Sequence, residues 1–541
     1  MLTIVEAVPG NGALQFSCGW SAVAVDWLFT EVLPIDFGYQ LPEWCLLPLL
    51  SLNIASALLL SPYAYNFIYL LWVSRGWEDP PLPHPFDPAT APRVTVQVPV
   101  YNEPLVVERV IDACAQLTYP REKLDIQVLD DSTDETSRLA AARVEYWRTQ
   151  GREMTFIHRD HRTGYKAGAL AHGLQTAKGE FTTIFDADFI PPPDFLIRTI
   201  PYFGVHPKIG AVQARWTHLN RKHSPYTRAI ALGLDTHFYI EQCGRKKGGY
   251  YLTFNGTGGT WRISCINDAG GWSHDTVVED LDLAYRAQRK GWKIIFLREV
   301  TVPQEIPPTL PDIRIQQVRW GIGGTQCFRK HFRTVLTDKN MTRRMKLQSF
   351  LQLSVYWIYP LLVLNVTTAT ILILFGGRWP EDLLFFSIYA ASGAAAVGAW
   401  SSYLLMLPRA GLSIKEELPY IPLLGIIGFG LAISLTAAVA KGLFRKGGKF
   451  ERTPKHRIVD GEVKKQVKTV SKRRNRRIRI LPELILAIFL FLAIRKLLAG
   501  VTLETIGVLG AAAFFCLFLL GQVIYVWEHV KPMPKRRTKL A

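Results

Sequence analysis

The stretch Thr182-Thr183-Ile184-Phe185-Asp186-Ala187-Asp188-Phe189-Ile190 decides the interpretation of the whole chain. An apolar, β-rich run ends there in two carboxylates one residue apart, and Pro191-Pro192-Pro193 prevents regular structure from continuing. A strand that ends at Asp-x-Asp places oxygen ligands at the carboxyl edge of a sheet, where open α/β sheets bind ligands. Two carboxylates beside bound phosphates suit Mg²⁺ or Mn²⁺. A strand followed by an acidic turn is the simpler alternative, and the surrounding sequence has to decide.

Strands and helices alternate around this stretch, which predicts an α/β domain with a parallel sheet of the nucleotide-binding type. From 205 to 345 the pattern is mixed, with one helix opening at Trp261-Arg262. We predict strands at 94–100, 124–129, 155–158 and 181–185, and helices at 106–117, 133–149, 166–177 and 279–290.

Long apolar segments flank this domain on both sides and predict membrane helices. Five regions follow: 1–90 with one transmembrane helix (about 46–74) and a proline linker, 91–345 as the α/β domain, 346–443 as transmembrane or interface helices, 444–479 as a basic loop, and 480–541 as a transmembrane hairpin with a basic tail. The apolar segments after the domain are 348–375, 383–407, 418–443, 481–498 and 501–526, and 20–33 is a shorter interfacial candidate.

The net charge of +18 is concentrated between membrane segments. Residues 444–479 carry 15 Lys/Arg and 3 acidic residues, a net charge of +12. This pattern predicts a cytoplasmic loop that is attracted to anionic lipid, and it contains no motif for nucleic acid. If every segment crossed the membrane, this loop would lie outside, so we expect 418–443 to lie in the interface or to re-enter.

The cysteines predict no disulfide framework and no zinc site, because all seven are scattered without a Cys-x-x-Cys pair. Reduced thiols fit a soluble part that faces the cytosol. No basic region precedes the first apolar residues, so we expect no cleaved signal peptide at this end.

Polar and aromatic side chains follow the first two predicted strands. Tyr101 and Glu103 follow the first strand, where they could hold a base and a ribose or simply form a turn. Asp130 and Asp131 end the second, where Asp131 or the following Ser132 could merely cap the next helix. Two acidic strand ends in register with Asp-x-Asp are hard to explain by capping alone.

Three further stretches carry residues suited to group transfer. Lys166 begins a helix after two basic residues and a glycine, an arrangement that suits a diphosphate, although lysine is common there. Asp280 opens another helix, whose dipole should keep it ionised and able to take a proton from a hydroxyl; an acidic first turn is the alternative. Gln316, Arg319 and Trp320 combine an amide, a guanidinium that grips phosphate and an indole that stacks on sugars.

The order and content of these sites resemble the processive inverting β-glycosyltransferases of glycosyltransferase family 2, the cellulose, hyaluronan and chitin synthases with their D, D, D, Q-x-x-R-W signature. The sequences of residues 254–262 and of Ala269-Gly270-Gly271-Trp272 are most similar to those of cellulose synthase-like enzymes that make β-glucan or β-mannan backbones. The resemblance runs from about 92 to 330 and extends to the flanking membrane segments. It implies a GT-A-type, Rossmann-like α/β domain in the cytosol, fused to an α-helical transmembrane region.

The resemblance also implies residue roles. Asp280 would be the catalytic base, Asp188 would bind the metal, Mg²⁺ or Mn²⁺, and Asp186 would share the metal and hold the donor. The nucleotide sugar would be bound by Tyr101, Glu103, Asp130, Asp131 and Lys166, and the acceptor by Phe254, Asn255, Gly256, Thr257, Gln316, Arg319 and Trp320.

One more match lies in the basic loop. The run from Phe450 to Lys455 resembles the F-x-V-T-x-K gating loop of cellulose synthases, which closes over the donor. Phe450, Thr453 and Lys455 match the pattern, whereas Arg452 stands in place of the usual valine and leaves the role of that position open. A solvated loop is the alternative, and it accounts for most of the charge.

Taken together, the resemblance implies a multi-pass integral membrane protein of the cell membrane that transfers a hexose to the non-reducing end of a growing β-glucan-type polysaccharide. UDP-glucose is the first choice of donor, and a β-mannan synthase using GDP-mannose is the alternative. Transfer of one sugar to a membrane lipid, as in ceramide glucosyltransferases, is a second alternative. A transporter with a nucleotide-binding regulatory domain is disfavoured, because such a protein should carry charges within its membrane spans and the predicted spans of this chain carry few. Linkage, oligomeric state and export partners are not readable from the sequence.

Overall fold

The computed structural model describes residues 41–375, 383–448, 451–459, 480–499 and 506–530. Several sequence predictions lie outside these ranges. They are the interfacial candidate 20–33, the cysteine Cys18, the gating residue Phe450, most of the basic loop, the turn at Gly500 and the basic tail.

A seven-stranded mixed sheet forms the centre of the domain, with strand order β3-β2-β1-β4-β6-β5-β7. Neighbouring strands are parallel except that β6 runs antiparallel to β4 and β5. The strands are β1 Val94–Val100, β2 Leu124–Asp130, β3 Met154–His158, β4 Phe181–Ile184, β5 Ile209–His218, β6 Gly259–Arg262 and β7 Lys293–Gln304.

The predicted parallel pairing of the first four strands is confirmed, whereas the prediction of a helix opening at Trp261-Arg262 is wrong. Trp261 lies inside β6, fully buried and opposite Thr182 of β4. The helix begins only at Ile263. Aromatic and β-branched residues favour strands when a pleated, buried surface is available, and the sequence did not reveal that the gap between β4 and β5 would provide one.

Helices cover both faces of the sheet, which explains why every residue of β2 is buried. Four of the predicted helices in this domain are present, and each is shorter than expected. The helices are α1 Glu43–Val73, α2 Val107–Ala115, α3 Thr136–Thr149, α4 Tyr165–Leu174, α5 Phe195–Thr199, α6 Pro225–Thr236, α7 Cys243–Lys247, α8 Ile263–Asp268, α9 Glu279–Arg289, α10 Leu310–Thr337, α11 Arg343–Leu353, α12 Ile358–Phe375, α13 Leu383–Met406, α14 Ile414–Glu417, α15 Tyr420–Phe444, α16 Leu481–Ala499 and α17 Ile506–Val530.

The register of the sheet brings the polar residues predicted at the strand ends to one edge. Val100 at the end of β1 lies opposite Asp130 of β2, and Gln97 lies opposite Ile184 of β4. Because these three strands are parallel, the residues that follow them leave the sheet on the same side. Tyr101, Asp131 and Asp186 therefore start within one region, as the sequence predicted.

Three helical stretches of the described chain are long and apolar enough to cross a membrane: Trp44–Val73, Val355–Phe375 and Ile414–Phe444. The predicted span 348–375 is broken near its start, because α11 ends at Leu353 and a 3₁₀ turn precedes α12. Ser354 explains the break. Its hydroxyl contacts the Phe350 carbonyl at 2.6 Å and the Tyr63 hydroxyl at 2.8 Å, and such local bonding competes with helix continuation.

The segment predicted to avoid crossing the membrane forms α15, which packs against α6, α10 and α12. Its contact with α10 is close: a Cβ added at Gly442 would lie 2.6 Å from the Ile322 carbonyl. By length and composition it could cross a membrane, so its interfacial position stays a prediction. The predicted pair of C-terminal segments is present as α16 and α17, which pack against each other.

The thiols behave as the sequence predicted over the part of the chain that the structure describes. The six cysteines found there are all free. Four of them are buried, and burial raises the pKa of the Cys114 thiol beyond its ordinary range.

Candidate active site

A deep cleft lies at the carboxyl edge of the sheet, and most of the predicted site residues meet there. Its walls come from the ends of β1, β2 and β4, from the starts of α4 and α9, and from the middle of α10. The lining residues are Pro99, Val100, Tyr101, Glu103, Asp131, Arg162, Lys166, Ala169, Asp186, Ala187, Asp188, Phe189, Trp216, Asn255, Gly256, Val277, Val278, Glu279, Asp280, Gln304, Gln316, Arg319, Trp320, Arg452, Thr453 and Lys455.

Asp186 and Asp188 form the floor of the cleft. The backbone N–H of Asp186 donates to the Thr257 hydroxyl at 2.9 Å, which fixes the turn after β4. Lys166, in the first turn of α4, lies 2.6 Å from an Asp186 carboxylate oxygen. Burial lowers the pKa of Lys166, but the charges of Asp186 and Glu279 outweigh it and leave the pKa raised. Lys166 is therefore a permanent ammonium at the place predicted for the diphosphate.

The acidic pair fits a divalent cation held jointly with a substrate. Over the described residues, no group of three or more His, Cys, Asp and Glu side chains could hold a metal. Mg²⁺ and related ions are commonly bound by one or two carboxylates while substrate phosphates complete the shell. Asp188 forms an ion pair with Lys455, whose ammonium lies 2.5 Å from Asp188 Oδ2. Asp186 and Asp188 would thus hold a metal that arrives with a diphosphate.

The opposite end of the cleft offers aromatic and acidic groups for a nucleoside. The Arg162 guanidinium lies 3.4 Å from the centroid of the Tyr101 ring. Asp131 is held by Arg159, whose Nε and Nη2 contact the two carboxylate oxygens at 2.7 and 2.6 Å. Glu103 is buried, and burial raises the pKa of its carboxyl. A flat ring, a guanidinium and carboxylates together could grip a base and a ribose.

Asp130 does not belong to this surface, which corrects one sequence prediction. It is the last residue of β2 and points away from the cleft. Its carboxylate lies 2.6 Å from the Ser137 hydroxyl and 2.7 Å from His158 Nδ1, and it accepts from the Ser132 N–H at 3.1 Å. Asp130 thereby ties the end of β2 to α3 and β3, and of the two residues only Asp131 lines the cleft.

Asp280 lies in the first turn of α9, deep in the cleft. Burial and the neighbouring Glu279 raise the pKa of Asp280 to about 7, although Lys166 acts in the opposite direction. Desolvation thus opposes the helix N-terminus that was expected to keep this carboxyl ionised, and the carboxyl is only partly ionised near pH 7. A carboxylate poised near neutrality is suited to general base catalysis.

The acceptor residues divide into those that line the cleft and those that support it. Gln316, Arg319 and Trp320 project from α10 into the cleft, and Gln316 Oε1 is buried without a hydrogen-bond partner among the described residues. Such an orphaned acceptor is suited to a ligand hydroxyl. Asn255 and Gly256 also line the cleft.

Phe254 and Thr257 lie beneath that surface instead of lining it. The Phe254 ring packs on Trp261 with a centroid separation of 4.9 Å. Thr257 is fully buried and supports the Asp186 turn. The structure therefore places these two residues behind the cleft surface, where they support it, and not in the predicted position of acceptor contacts.

Gly256 occupies a position that requires glycine. Its φ is +80°, and an added Cβ would lie 2.8 Å from Asp280 Oδ2 and 3.4 Å from Lys166 Nζ. The Lys166 ammonium donates to the Gly256 carbonyl at 2.9 Å. This glycine therefore brings backbone against both the predicted base and the predicted diphosphate lysine.

Residues 451–459 of the basic loop lie against the cleft. Lys455 contacts Asp188, and Arg452 lies 3.3 Å from Glu103. Thr453 is buried and lines the cleft beside them. Two of the three predicted gating residues are thus at the site, and Phe450 falls outside the described residues.

Sequence reasoning missed several lining residues. Glu279 was not predicted as a site residue, yet it lies 3.7 Å from Lys166 and raises the pKa of Asp280. Trp216 and Gln304 come from the ends of β5 and β7. Both residues lie near the ends of strands, a position that could have suggested a site role. The sequence does not give the strand order, however, so it did not predict that these ends lie near β4.

The sequence profile "Glycosyltransferase like family 2" matches residues 92–323. Among curated relatives, the chain is 39% identical to "Glucomannan 4-beta-mannosyltransferase 2" of Arabidopsis thaliana over 314 residues, covering 55% of this chain and 59% of the relative. It is 43% identical to "Glucomannan 4-beta-mannosyltransferase 9" of the same plant over 255 residues, covering 46% and 48%. The chain thus spans about half to three fifths of the length of these relatives.

Among solved structures, the chain is similar to "Mannosyltransferase PcManGT from Pyrobaculum calidifontis in complex with GDP-Man and Mn2+". The alignment covers 72% of this chain and 99% of that one, with 22% identity and a TM-score of 0.49. The similarity to this family rests on the profile, whose range contains the whole sheet and most of the cleft residues, and on the curated relatives. Residues 92–323 accordingly form a glycosyltransferase family 2 domain, and the chain is similar to glucomannan 4-beta-mannosyltransferases.

Proposed function

We propose that this protein is a membrane-embedded inverting β-mannosyltransferase that extends a β-mannan or glucomannan backbone from GDP-mannose. The observation that carries the proposal is the convergence of five groups in one cleft: a base near neutral pKa, an acidic pair, a buried ammonium, a guanidinium and an indole. They are Asp280, Asp186 with Asp188, Lys166, Arg319 and Trp320.

The donor sugar is the point at which the comparisons change the sequence interpretation. UDP-glucose was the first choice and GDP-mannose the alternative. Relatives at 39% and 43% identity are named as glucomannan 4-beta-mannosyltransferases. This supports the alternative, and with it a mannosyl transfer from a guanosine diphosphate donor.

The transfer itself needs one displacement. The acceptor sugar lies over Trp320, and its hydroxyl is directed at Asp280. As Asp280 takes the hydroxyl proton, the oxygen attacks the anomeric carbon from the face opposite the nucleotide, so the configuration inverts. The bond between that carbon and the diphosphate oxygen breaks, and its electron pair stays on the diphosphate.

Charge on the departing diphosphate is the main electrostatic demand of this step. Lys166 and Arg319 both lie at the cleft and carry positive charge that can meet it. A divalent metal, when bound by Asp186 and Asp188, supplies further Lewis-acid neutralisation of the same oxygens. Glu279 and Asp186 keep Lys166 charged, so the site is organised before the donor arrives.

The placement of the acceptor helix supports a growing glycan over a single sugar. Helix α10 carries Gln316, Arg319 and Trp320, and it packs directly on α15, a candidate membrane span. Arg314 Nε of α10 donates to the Ser434 hydroxyl of α15 at 3.1 Å. A chain extended at Trp320 would therefore leave the cleft beside membrane helices, with the catalytic domain in the cytosol.

Nucleotide-sugar turnover by the full chain in lipid nanodiscs tests the proposal. With Mn²⁺ or Mg²⁺, labelled GDP-mannose should be consumed and UDP-glucose should be consumed far more slowly. Asp280→Asn supplies the matched control, since it keeps the cleft and removes the base. Consumption of UDP-glucose in preference to GDP-mannose would refute the donor assignment and leave the family assignment in place.

A further inference from the structure

The loop segment 451–459 is held on the catalytic domain by carboxylates. Four acidic residues from different parts of the domain receive it, and no two of them are adjacent in sequence. They are Glu103, Asp188, Glu305 and Asp312. The contacts fall into two classes, because two of these carboxylates line the cleft and two lie outside it.

The contacts outside the cleft form an anchor. The buried Glu305 carboxylate accepts from the backbone N–H groups of His456 and Arg457 at 2.8 and 2.9 Å, one on each oxygen. Arg457 adopts a φ of +58°, which turns these N–H groups toward one carboxylate. His456 Nε2 also lies 3.0 Å from Asp312 of α10. Backbone donors on a buried carboxylate hold the segment independently of any ligand.

The contacts inside the cleft involve the residues needed by the donor. Arg452 lies 3.3 Å from Glu103, at the end assigned to the nucleoside. The Lys455 ammonium lies 2.5 Å from Asp188 Oδ2, at the place assigned to the metal. Asp188 is 3% exposed, and a buried carboxylate is stable only when a partner balances its charge.

A divalent cation and the Lys455 ammonium cannot both occupy the Oδ2 side of Asp188. Each needs direct contact with the same oxygen, and two positive groups at that distance repel strongly where both are largely shielded from water. Lys455 is attached to an anchored segment, so its local concentration at Asp188 is high.

We propose that Lys455 is a tethered cation that holds the metal position at Asp188 while the cleft is empty and moves to the diphosphate when the metal and donor bind. The inference rests on the proposed function, in which Asp188 binds a metal together with a nucleotide diphosphate. The Glu305 anchor keeps the segment in place during the exchange, so only the side chain has to change partners.

Metal binding without nucleotide measures this competition directly. The full chain in neutral lipid nanodiscs is titrated with Mn²⁺ alone, and free Mn²⁺ is followed by electron paramagnetic resonance. Lys455→Met keeps the length of the side chain and removes its charge, so it should tighten Mn²⁺ binding by roughly tenfold or more. Lys446→Met is the matched control, because Lys446 is an exposed cation of the same loop outside the cleft, and it should leave Mn²⁺ affinity unchanged.

GDP supplies the second half of the exchange. With Mn²⁺ saturating, Lys455→Met should bind GDP more weakly than the unmodified protein, because the ammonium is then missing from the diphosphate. Unchanged or weaker Mn²⁺ binding by Lys455→Met would overturn the inference, as would equal tightening by both variants. Unchanged GDP affinity would overturn the second role of Lys455.

These outcomes are separable from the proposed function. Tighter Mn²⁺ binding by Lys455→Met with no turnover of GDP-mannose would refute the donor and keep the exchange. Turnover of GDP-mannose with no change in Mn²⁺ affinity would refute the exchange and keep the donor.

Discussion

In the proposed mechanism, Asp280 accepts the proton of the acceptor hydroxyl, and other residues of the cleft balance the charge of the diphosphate. Asp280→Asn removes the base without changing the shape of the side chain. We expect transfer to fall by roughly a hundredfold to ten-thousandfold, whereas GDP binding, which depends on the Tyr101 and Asp188 ends of the cleft, should stay within a small factor. Labelled-sugar transfer and a GDP titration on one preparation measure both. A variant that still forms product at the original rate would refute the base assignment.

The pH dependence follows from the same residue. Burial and Glu279 raise the pKa of Asp280 to about 7 in the ligand-free protein, and only the deprotonated carboxylate can accept a proton. The kcat/KM for GDP-mannose should therefore increase with pH through about 7 and level off above it. A profile already flat from pH 5.5 to 8 would show that no group with this pKa limits the reaction.

Alanine substitution at Gly256 tests how closely the cleft packs around this residue. The exposed Gly249 is the control, because its φ of +70° is similar to the φ of +80° at Gly256. Alanine at either position costs on the order of 1 kcal/mol in backbone strain. An added Cβ meets Asp280 and Lys166 at Gly256, whereas nothing lies within 4 Å at Gly249. Gly256→Ala should lose most of its kcat in a transfer assay, and Gly249→Ala should keep it. Equal activity in the two variants would mean that the cleft relaxes around the methyl group.

At the level of elements, α9 carries Asp280 and is fixed to α10 by a buried ion network. Asp282 lies two residues after the base, with His331 Nε2 and the Lys330 ammonium both 2.8 Å from its Oδ1. Arg286 Nε donates to its Oδ2 at 2.8 Å. Burial raises the pKa of Asp282, but these partners outweigh it and hold the pKa well below its ordinary range.

Asp282→Asn should therefore loosen α9 as well as destabilise the domain. Removing the charge leaves Lys330 and Arg286 underpaired, a change that costs about 3 kcal/mol in buried pairs. We expect a lower midpoint of thermal unfolding by tryptophan fluorescence and a reduced kcat with nearly unchanged KM. Asp275→Asn is the control, since Asp275 also pairs with Lys330 but is half exposed. Equal effects of the two substitutions would contradict an anchoring role for Asp282.

The elements also show what the sequence could and could not predict. Strands β1 to β4 were identified because each is a short apolar run followed by polar residues, and their parallel pairing predicted the cleft edge. Strand β6 was missed because its residues were interpreted as the start of a helix, and its identity depends on the space between β4 and β5. Asp130 and Asp131 are neighbours with identical side chains, so only the turn after β2 determines which one faces the ligand.

For the molecule as a whole, the sequence predicted a catalytic domain joined to membrane helices, and the structure shows how the two are coupled. Arg221 and Arg228 of the domain lie 3.5 and 3.3 Å from Glu417, which precedes α15. The break at Ser354 was not predicted, because no proline or glycine lies between residues 348 and 358. The contact of Lys455 with Asp188 was also beyond the sequence, since 267 residues separate them.

Product analysis tests the central claim most directly, that this chain polymerises mannose. The purified chain in lipid nanodiscs is supplied with labelled GDP-mannose and Mn²⁺, and the product is sized and then digested with an endo-β-1,4-mannanase. We predict a polymer that is insoluble in organic solvent and that the mannanase degrades to short oligosaccharides. A labelled lipid carrying one sugar, or a polymer resistant to the mannanase, would contradict the account.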